Sequence, residues 1–329
     1  MRARILLAGG AVAALSLLAG CAATPPPPIT TIGELGAAYL DAGGRCEELV
    51  EQYRASDDEP VVATCRGETE LVLAGSADEA LAIATERQLQ EQTVLVSDRW
   101  LIRDPDLETL QQELGGQIVT LAPADGPTNM SDAIAFDDGG VVGTDPVPAG
   151  EEPAGPADAS AVPDVLVVID PACEYCDRLL AASGEELIAL ADEGEARVAY
   201  LPVALGDAIG NGYASTLGAN ALACVADGAP GSYRPFQTAL LSQLQRQPFD
   251  AGSVAALAAE HGAEVEACIS EARFAWWVRQ ATVRAIEQPL QGGEPLRGVP
   301  TVLVDGELFH DDVSDADALA AFIAERSAP

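Results

Sequence analysis

Two short stretches far apart in the chain fix most of what it can fold into. Cys173-Glu174-Tyr175-Cys176 follows the apolar run Val165–Ile169, and Gly298-Val299-Pro300-Thr301 opens a second apolar run, Thr301–Val304. A C-x-x-C just past a strand falls at the start of a helix. Unsatisfied backbone N–H groups and the helix dipole stabilise a thiolate there. A proline just ahead of a later strand can set an extended backbone edge beside that thiolate. Together the two stretches point to thiol–disulfide exchange.

Composition narrows the alternatives. With 329 residues the chain has room for about two domains, and 48% apolar content is ample for buried cores. The net charge is −35, from 52 acidic and 17 basic residues, and every basic residue is Arg. Without lysine there is no Schiff-base chemistry, and the charge balance argues against nucleic-acid binding. The acidity is read as solubility and self-repulsion. Neither a metal nor an organic cofactor is expected. The histidines are His261 and His310, read as surface or loop residues with no partner constellation nearby.

Met1–Arg4 carries two arginines, Ile5–Leu18 is apolar, and Leu18-Ala19-Gly20-Cys21 closes the stretch. It is short for a membrane span and reads as an export signal. The LAGC ending resembles the lipobox of bacterial lipoproteins. That resemblance implies a signal peptide over residues 1–20 and lipidation of Cys21. Residues 21–31, with Pro25–Pro28 extended, would form the anchor and tether. The implied location is the extracytoplasmic face of the cell membrane. Seven cysteines less Cys21 leave six in an oxidising compartment. Many pairings are open to them; the economical set is Cys46–Cys65, Cys173–Cys176 and Cys224–Cys268, each within one local region.

Residues 32–122 read as a small α/β domain of unknown role. Helices are expected over Gly33–Asp41, Asp78–Gln90 with Ser76 as N-cap, and Pro105–Leu114, stopped by Gly115-Gly116. Strands are expected over Val61–Cys65 and Glu70–Leu73, around the turn Arg66-Gly67, and over Thr93–Ser97 and Gln117–Leu121. The Cys pair, the stretch from Val94-Leu95-Val96 to Trp100, and Leu114-Gly115-Gly116 resemble a small domain of lipoproteins from high-GC Gram-positive bacteria. Trp100 is read as a partly buried structural residue. Residues 123–163 read as an acidic linker. Thirteen of the 41 are Pro or Gly, eight are acidic and none is basic, which is too polar to order fully. A short edge element over Ala133–Phe136 and Gly140–Gly143 is the structure expected in it.

A second domain is expected over residues 164–329. Val165–Ile169 reads as a strand buried on both faces. Helix Cys173–Asp192 and strand Arg197–Leu201 follow. The pattern is then helical from Tyr213 to Gln288, with Phe274, Trp277, Val278 and Ala281 on one face. Thr301–Val304 and Glu307–His310 read as a hairpin around Asp305-Gly306, and Asp315–Arg326 as a closing helix capped by Ser314. This order is an α/β class, a thioredoxin fold with a helical insertion at about 211–290.

Asp170-Pro171-Ala172-Cys173-Glu174-Tyr175-Cys176 resembles the active-site stretch of the Dsb-type thiol–disulfide oxidoreductases, in a form most similar to the isomerase branch. Gly298-Val299-Pro300-Thr301 resembles the cis-proline loop of that superfamily, and the helical block with two internal cysteines resembles a Dsb insertion. The resemblance covers Asp164–Arg326. It implies that Cys173 is the attacking thiol and Cys176 the resolving one. It also implies a cis Pro300 that keeps a backbone donor away from the sulfurs and presents the edge at Val299 to substrate. The implied partners are exported proteins with cysteines and a redox partner that resets the dithiol. Asp170 is assigned either to proton transfer or to capping the turn before the helix. Two features depart from the pattern. Glu174 stands where relatives carry Pro or Gly, and is expected to oppose the Cys173 thiolate and make a weaker oxidant. Val299 resembles the oxidase branch, where isomerases tend to have Thr.

Other readings stay open on the residues alone. Half a zinc site would need ligands at spacings this chain lacks. A locked Cys173–Cys176 bridge would make the domain a peptide-binding module or scaffold. A thiol peroxidase on the same fold usually lacks a vicinal C-x-x-C. Cys224 and Cys268 are read as a structural bridge, with a second electron-relaying pair as the sharper alternative.

Overall fold

The protein is described by a computed structural model over residues 29–54, 56, 59–65, 69–89, 92–153, 162–209, 213–244 and 250–326. The export segment, Cys21, Pro25–Pro28, the Arg66-Gly67 turn and the helix end at Gln90 lie outside the described residues.

The first domain runs α1 (Ile32–Asp41), β1 (Val50–Glu51), β2 (Val61–Thr64), β3 (Glu70–Leu73), α2 (Ala77–Leu89), β4 (Val94–Ser97), β5 (Trp100–Arg103), α3 (Leu107–Leu114) and β6 (Gln117–Val119). The strands form one antiparallel sheet in the order β1-β2-β3-β5-β4-β6. Period-2 alternation sends the two sets of side chains to opposite faces. Leu71, Leu73, Leu95 and Ile102 pack with Leu35 and Tyr39 of α1 and Leu107 and Leu110 of α3, while Val72, Val94, Val96 and Leu101 pack with Ala80 and Ala84 of α2. Local capping agrees with this. Thr31 and Glu34 form a capping box on α1, and Ser76 Oγ accepts from Glu79 N–H on α2 at 3.1 Å. The Cys46–Cys65 bridge joins the segment after α1 to the end of β2. Strand β5 was not expected from the sequence. It follows β4 through the two-residue turn Asp98-Arg99, with Asp98 at φ 48°, and that turn lacks the usual glycine. Trp100 heads β5 and is buried at 5% exposure.

The second domain runs β7 (Ile134–Asp137), β8 (Gly140–Val141), β9 (Asp164–Ile169), α4 (Glu174–Asp192), β10 (Arg197–Pro202), α5 (Ala214–Gly228), α6 (Tyr233–Leu244), α7 (Ala251–Glu260), α8 (Glu266–Ser270), α9 (Ala275–Glu287), β11 (Thr301–Val304), β12 (Glu307–Leu308) and α10 (Ala316–Arg326). Its sheet has the order β12-β11-β9-β10-β7-β8. Strands β9 and β10 are parallel, with α4 as the crossover a parallel pair needs, and the other pairs are antiparallel. This is a thioredoxin-like fold with a helical insertion, preceded by a small α/β domain. The continuous apolar run of β9 has a direct cause. Val165, Val167 and Ile169 face a core shared with Leu179 and Leu187 of α4, while Leu166 and Val168 face one shared with Ala281 and Ala285 of α9. Asp315, not Ser314, caps α10: its Oδ1 accepts from Ala318 N–H at 3.0 Å. The hairpin's second strand ends at Leu308, short of His310.

Residues 123–153 are more ordered than a linker, and the short edge element expected in them is present as β7 and β8. Strand β7 pairs with β10 through Val198–Phe136, Ala199–Ala135 and Tyr200–Ile134 and extends the main sheet. Met130 and Ile134 are fully buried, and Phe136 packs edge-on against Tyr200. Asn129 donates to Ala226 O at 3.0 Å, Thr128 N–H donates to Asp227 at 2.9 Å, and Arg284 of α9 forks onto Asp132. Gly126 lies so close to the Trp277 indole that an added Cβ would be 2.5 Å from its Nε1. High Pro, Gly and Asp content hid a few well-placed apolar residues. Ile134→Val should therefore cost about 1 kcal/mol of global stability, read as a shift in urea midpoint at unchanged slope. An unshifted midpoint would return the segment to a linker.

Candidate active site

The end of β9 and the start of α4 set the first half of the site. Asp170 follows the strand, and its carbonyl accepts from Cys173 N–H at 3.0 Å, turning the chain into the helix. Cys173 is the N-cap of α4, with φ −90° and ψ 118° and no side-chain capping bond. Its sulfur is therefore left beside the first N–H groups of the helix. Cys176 lies one turn further in at 0% exposure, whereas Cys173 is partly exposed, and both are free thiols. The start of β11 supplies the second half. The Val299–Pro300 bond is cis, and the Cys173 thiol points at Val299 O at 3.6 Å. Pro300 carries no N–H, so no backbone donor competes at that position. The structure thus brings together Cys173, Cys176, Val299 and Pro300 from opposite ends of the domain.

The two thiols are driven apart electrostatically. A hydrogen bond from Cys176 is the chief cause that lowers the Cys173 pKa to about 6; the N–H groups of Cys176 and Tyr175 add to it, against partial burial and the charge of Asp170. Burial is the chief cause that pushes Cys176 far up, with Cys173 beside it adding to the rise. One sulfur is thus ready to attack and the other holds its proton. Glu174, expected to oppose this thiolate, lies exposed in the first turn of α4. Glu174 is ion-paired with Arg178, whose guanidinium also lies 4.9 Å from the centre of the Tyr175 ring. Its charge is met on the helix surface by that guanidinium. Arg178 was missed in the sequence, although its i,i+4 spacing from Glu174 could have revealed it.

Asp170 has 1% exposure and is fully engaged. Its carboxylate accepts from Ala172 N–H at 2.8 Å, Gly206 N–H at 2.7 Å and Ser215 Oγ at 2.6 Å, and its own N–H faces Cys176 Sγ at 3.4 Å. Burial raises its pKa against those hydrogen bonds. It therefore caps the turn and is also a carboxylate with raised proton affinity beside the buried Cys176 thiol. Ser215, at the start of α5, is a further site residue the sequence reading did not single out.

The remaining expected residues lie elsewhere. Cys224 of α5 and Cys268 of α8 are bridged and buried inside the helical insertion, and Cys46–Cys65 lies in the first domain. His261 ends α7 and His310 is exposed beyond β12. Among the described residues no group of three or more His, Cys, Asp or Glu is gathered as for a metal ion, and no helix is long and apolar enough to cross a membrane.

A family model described as thioredoxin matches residues 155–325. No curated protein matches the chain. Several solved structures are similar to it. Oxidised DsbA of Mycobacterium tuberculosis is 26% identical, covering 53% of this chain and 87% of that one, at a TM-score of 0.44. The reduced disulfide oxidoreductase DsbG of Mycobacterium tuberculosis is 27% identical over 51% of this chain and 79% of its own, at 0.43. MdbA of Corynebacterium diphtheriae, a thiol–disulfide oxidoreductase, is 16% identical over 62% and 94%, at 0.47.

Proposed function

Since this chain belongs to the thioredoxin family, we propose that it is an exported protein thiol–disulfide oxidoreductase working through Cys173 and Cys176. The observation that carries this reading is the contrast between two thiols one helical turn apart. Cys173 is partly exposed with its pKa lowered to about 6, and Cys176 is sealed and protonated. The Cys173 thiolate attacks a substrate disulfide; that S–S bond breaks, and the departing sulfur leaves as a thiolate that takes a proton from water. Cys176 then loses its proton to Asp170 and attacks the Cys173 sulfur. The mixed disulfide breaks, a second substrate thiolate departs, and Cys173–Cys176 is left oxidised while the substrate is reduced by two electrons. The reverse sequence oxidises a dithiol substrate. Val299 O, just ahead of β11, offers a backbone acceptor to an extended substrate segment.

The substrates are exported proteins with cysteines. A redox partner resets the pair, and a lipid on Cys21 holds the protein at the extracytoplasmic face of the membrane. The signal-like residues 1–20 and the LAGC ending support that location. The non-catalytic alternative needs a locked Cys173–Cys176 bridge, and the free thiols do not favour it. Insulin turbidity under a dithiol reductant tests the reading. The protein is expected to speed precipitation well beyond reductant alone, and an equal rate favours the scaffold. Alkylation of the reduced protein by iodoacetamide, followed against pH, should rise through a midpoint near 6, where an ordinary cysteine titrates at about 8.5. A midpoint at the ordinary value would remove the activated nucleophile.

The same lowering carries a stability consequence with a definite sign. A thiol whose folded pKa is depressed stabilises the fold above its unfolded value and loses that contribution as pH falls through the folded one. For reduced Cys173 the window runs from about 9 down to about 6. Cys176 is raised, so it opposes the gain only above its own unfolded value.

A further inference from the structure

We propose that Asp207 is the second carboxylate of the exchange site, a positioning residue held behind Asp170 that governs how readily Asp170 takes and releases the Cys176 proton. The inference rests on the redox reading above. Its basis is a double clamp. Ser215 and Thr216 are neighbours in the first turn of α5 and both have 0% exposure. The Ser215 hydroxyl donates to Asp170 Oδ1 at 2.6 Å, and the Thr216 hydroxyl donates to Asp207 Oδ2, with Thr216 N–H reaching Asp207 Oδ1 at 3.4 Å. From the other side, the turn over Gly206–Ile209 gives the Gly206 N–H to Asp170 Oδ2 at 2.7 Å and carries Asp207 itself. Two adjacent hydroxyls and two adjacent turn residues thus fix both carboxylates as one unit.

Other charged and titratable groups reach this unit from two elements: Cys173 and Cys176 from the start of α4, and Arg279 from α9. Burial comes first among the causes that raise the pKa of Asp207, the charge of Asp170 adds to it, and Thr216 and Arg279 act against it. Coupling between two charges is mutual, so Asp207 also makes protonation of Asp170 more favourable. When Cys176 attacks the mixed disulfide, its S–H bond breaks and the proton goes to Asp170. A charged Asp207 strengthens Asp170 as the acceptor and delays its deprotonation afterwards. Asp207 is partly exposed whereas Asp170 is sealed, so the pair also links the buried site to solvent charge.

The test uses the full chain in reduced form and 5,5′-dithiobis(2-nitrobenzoate) as probe. The first release of yellow thiolate reports attack by Cys173, and the second reports attack by Cys176 on the mixed disulfide. In the wild type the second phase should have an acid limb that Asp170→Asn abolishes. Asp207→Asn should move that limb to lower pH by about half to one unit, without moving the first phase, and Asp207→Glu should restore it. Thr216→Val, which removes the hydroxyl donor to Asp207, should move the limb in the same direction and serves if Asp207→Asn does not fold. A limb unmoved in whichever of the two variants folds overturns the proposal. A wild type with no second release overturns the redox reading instead.

Discussion

Cys173→Ser is expected to bring insulin reduction down to the rate of reductant alone, removing the whole enzyme-dependent rate. A serine hydroxyl is not ionised under these conditions, and the stabilisation that lowers Cys173 to about 6 finds no anion to act on. Cys176→Ser should behave differently. The first attack is kept, but the mixed disulfide cannot be resolved and accumulates. Non-reducing electrophoresis of Cys176→Ser with a disulfide-bearing protein should show adducts that collapse on adding reductant, and Cys173→Ser should show none. The asymmetry comes from placement, since residue 173 caps the helix at the surface and residue 176 faces the core at 0% exposure. Adducts formed by Cys173→Ser in place of Cys176→Ser would reverse the two roles. Turnover retained by Cys173→Ser would remove the pair from the chemistry.

Removing the Cys224–Cys268 bridge is expected to cost about 4 kcal/mol, because the two sulfurs close a loop with a sequence separation of 44. The cost should appear as a lower urea midpoint for Cys224→Ala/Cys268→Ala, with the slope raised if the unfolded chain expands. The 19-residue separation of Cys46 and Cys65 predicts a smaller loss of about 3 kcal/mol. Cys224 is 1% and Cys268 6% exposed, so neither is offered to a partner protein, and this favours a brace over an electron relay. The brace also bears on the exchange site. Helix α5 carries Cys224 near its end and Ser215 and Thr216 at its start. The folded double variant should keep its Cys173 alkylation midpoint. An unchanged urea midpoint would deny the bridge a structural role, and turnover lost at full stability would favour the relay.

What the sequence disclosed followed signal strength. The apolar run of β9, the C-x-x-C behind it and the proline before β11 are local patterns, and each keeps its expected place in the fold. Helices α1, α2 and α4 were legible from their caps and periods, within a residue or two at the ends. Strand β5 escaped because it follows a two-residue turn without the usual glycine. Strand β7 escaped as part of the main sheet because its apolar positions, Ile134 and Phe136, lie within an acidic segment rich in proline and glycine. Cys173, Cys176, Val299 and Pro300, which the structure brings together, could be singled out because their types and spacing point to exchange chemistry. Ser215, Thr216 and Asp207 could not. Ser215 meets Asp170, and Thr216 meets Asp207, only through the packing of α5 against the turn after β10, and no spacing in one dimension announces that.

The hairpin formed by β7 and β8 sets a practical limit on dissecting this protein. A fragment beginning at Asp164 would keep both thiols yet strip β10 of its neighbour, baring Val198, Ala199 and Tyr200 as an unpaired edge. Such an edge invites strand-to-strand aggregation. Any excised redox module should therefore begin ahead of Gly126, and the shorter piece should precipitate or associate where the longer one stays monodisperse.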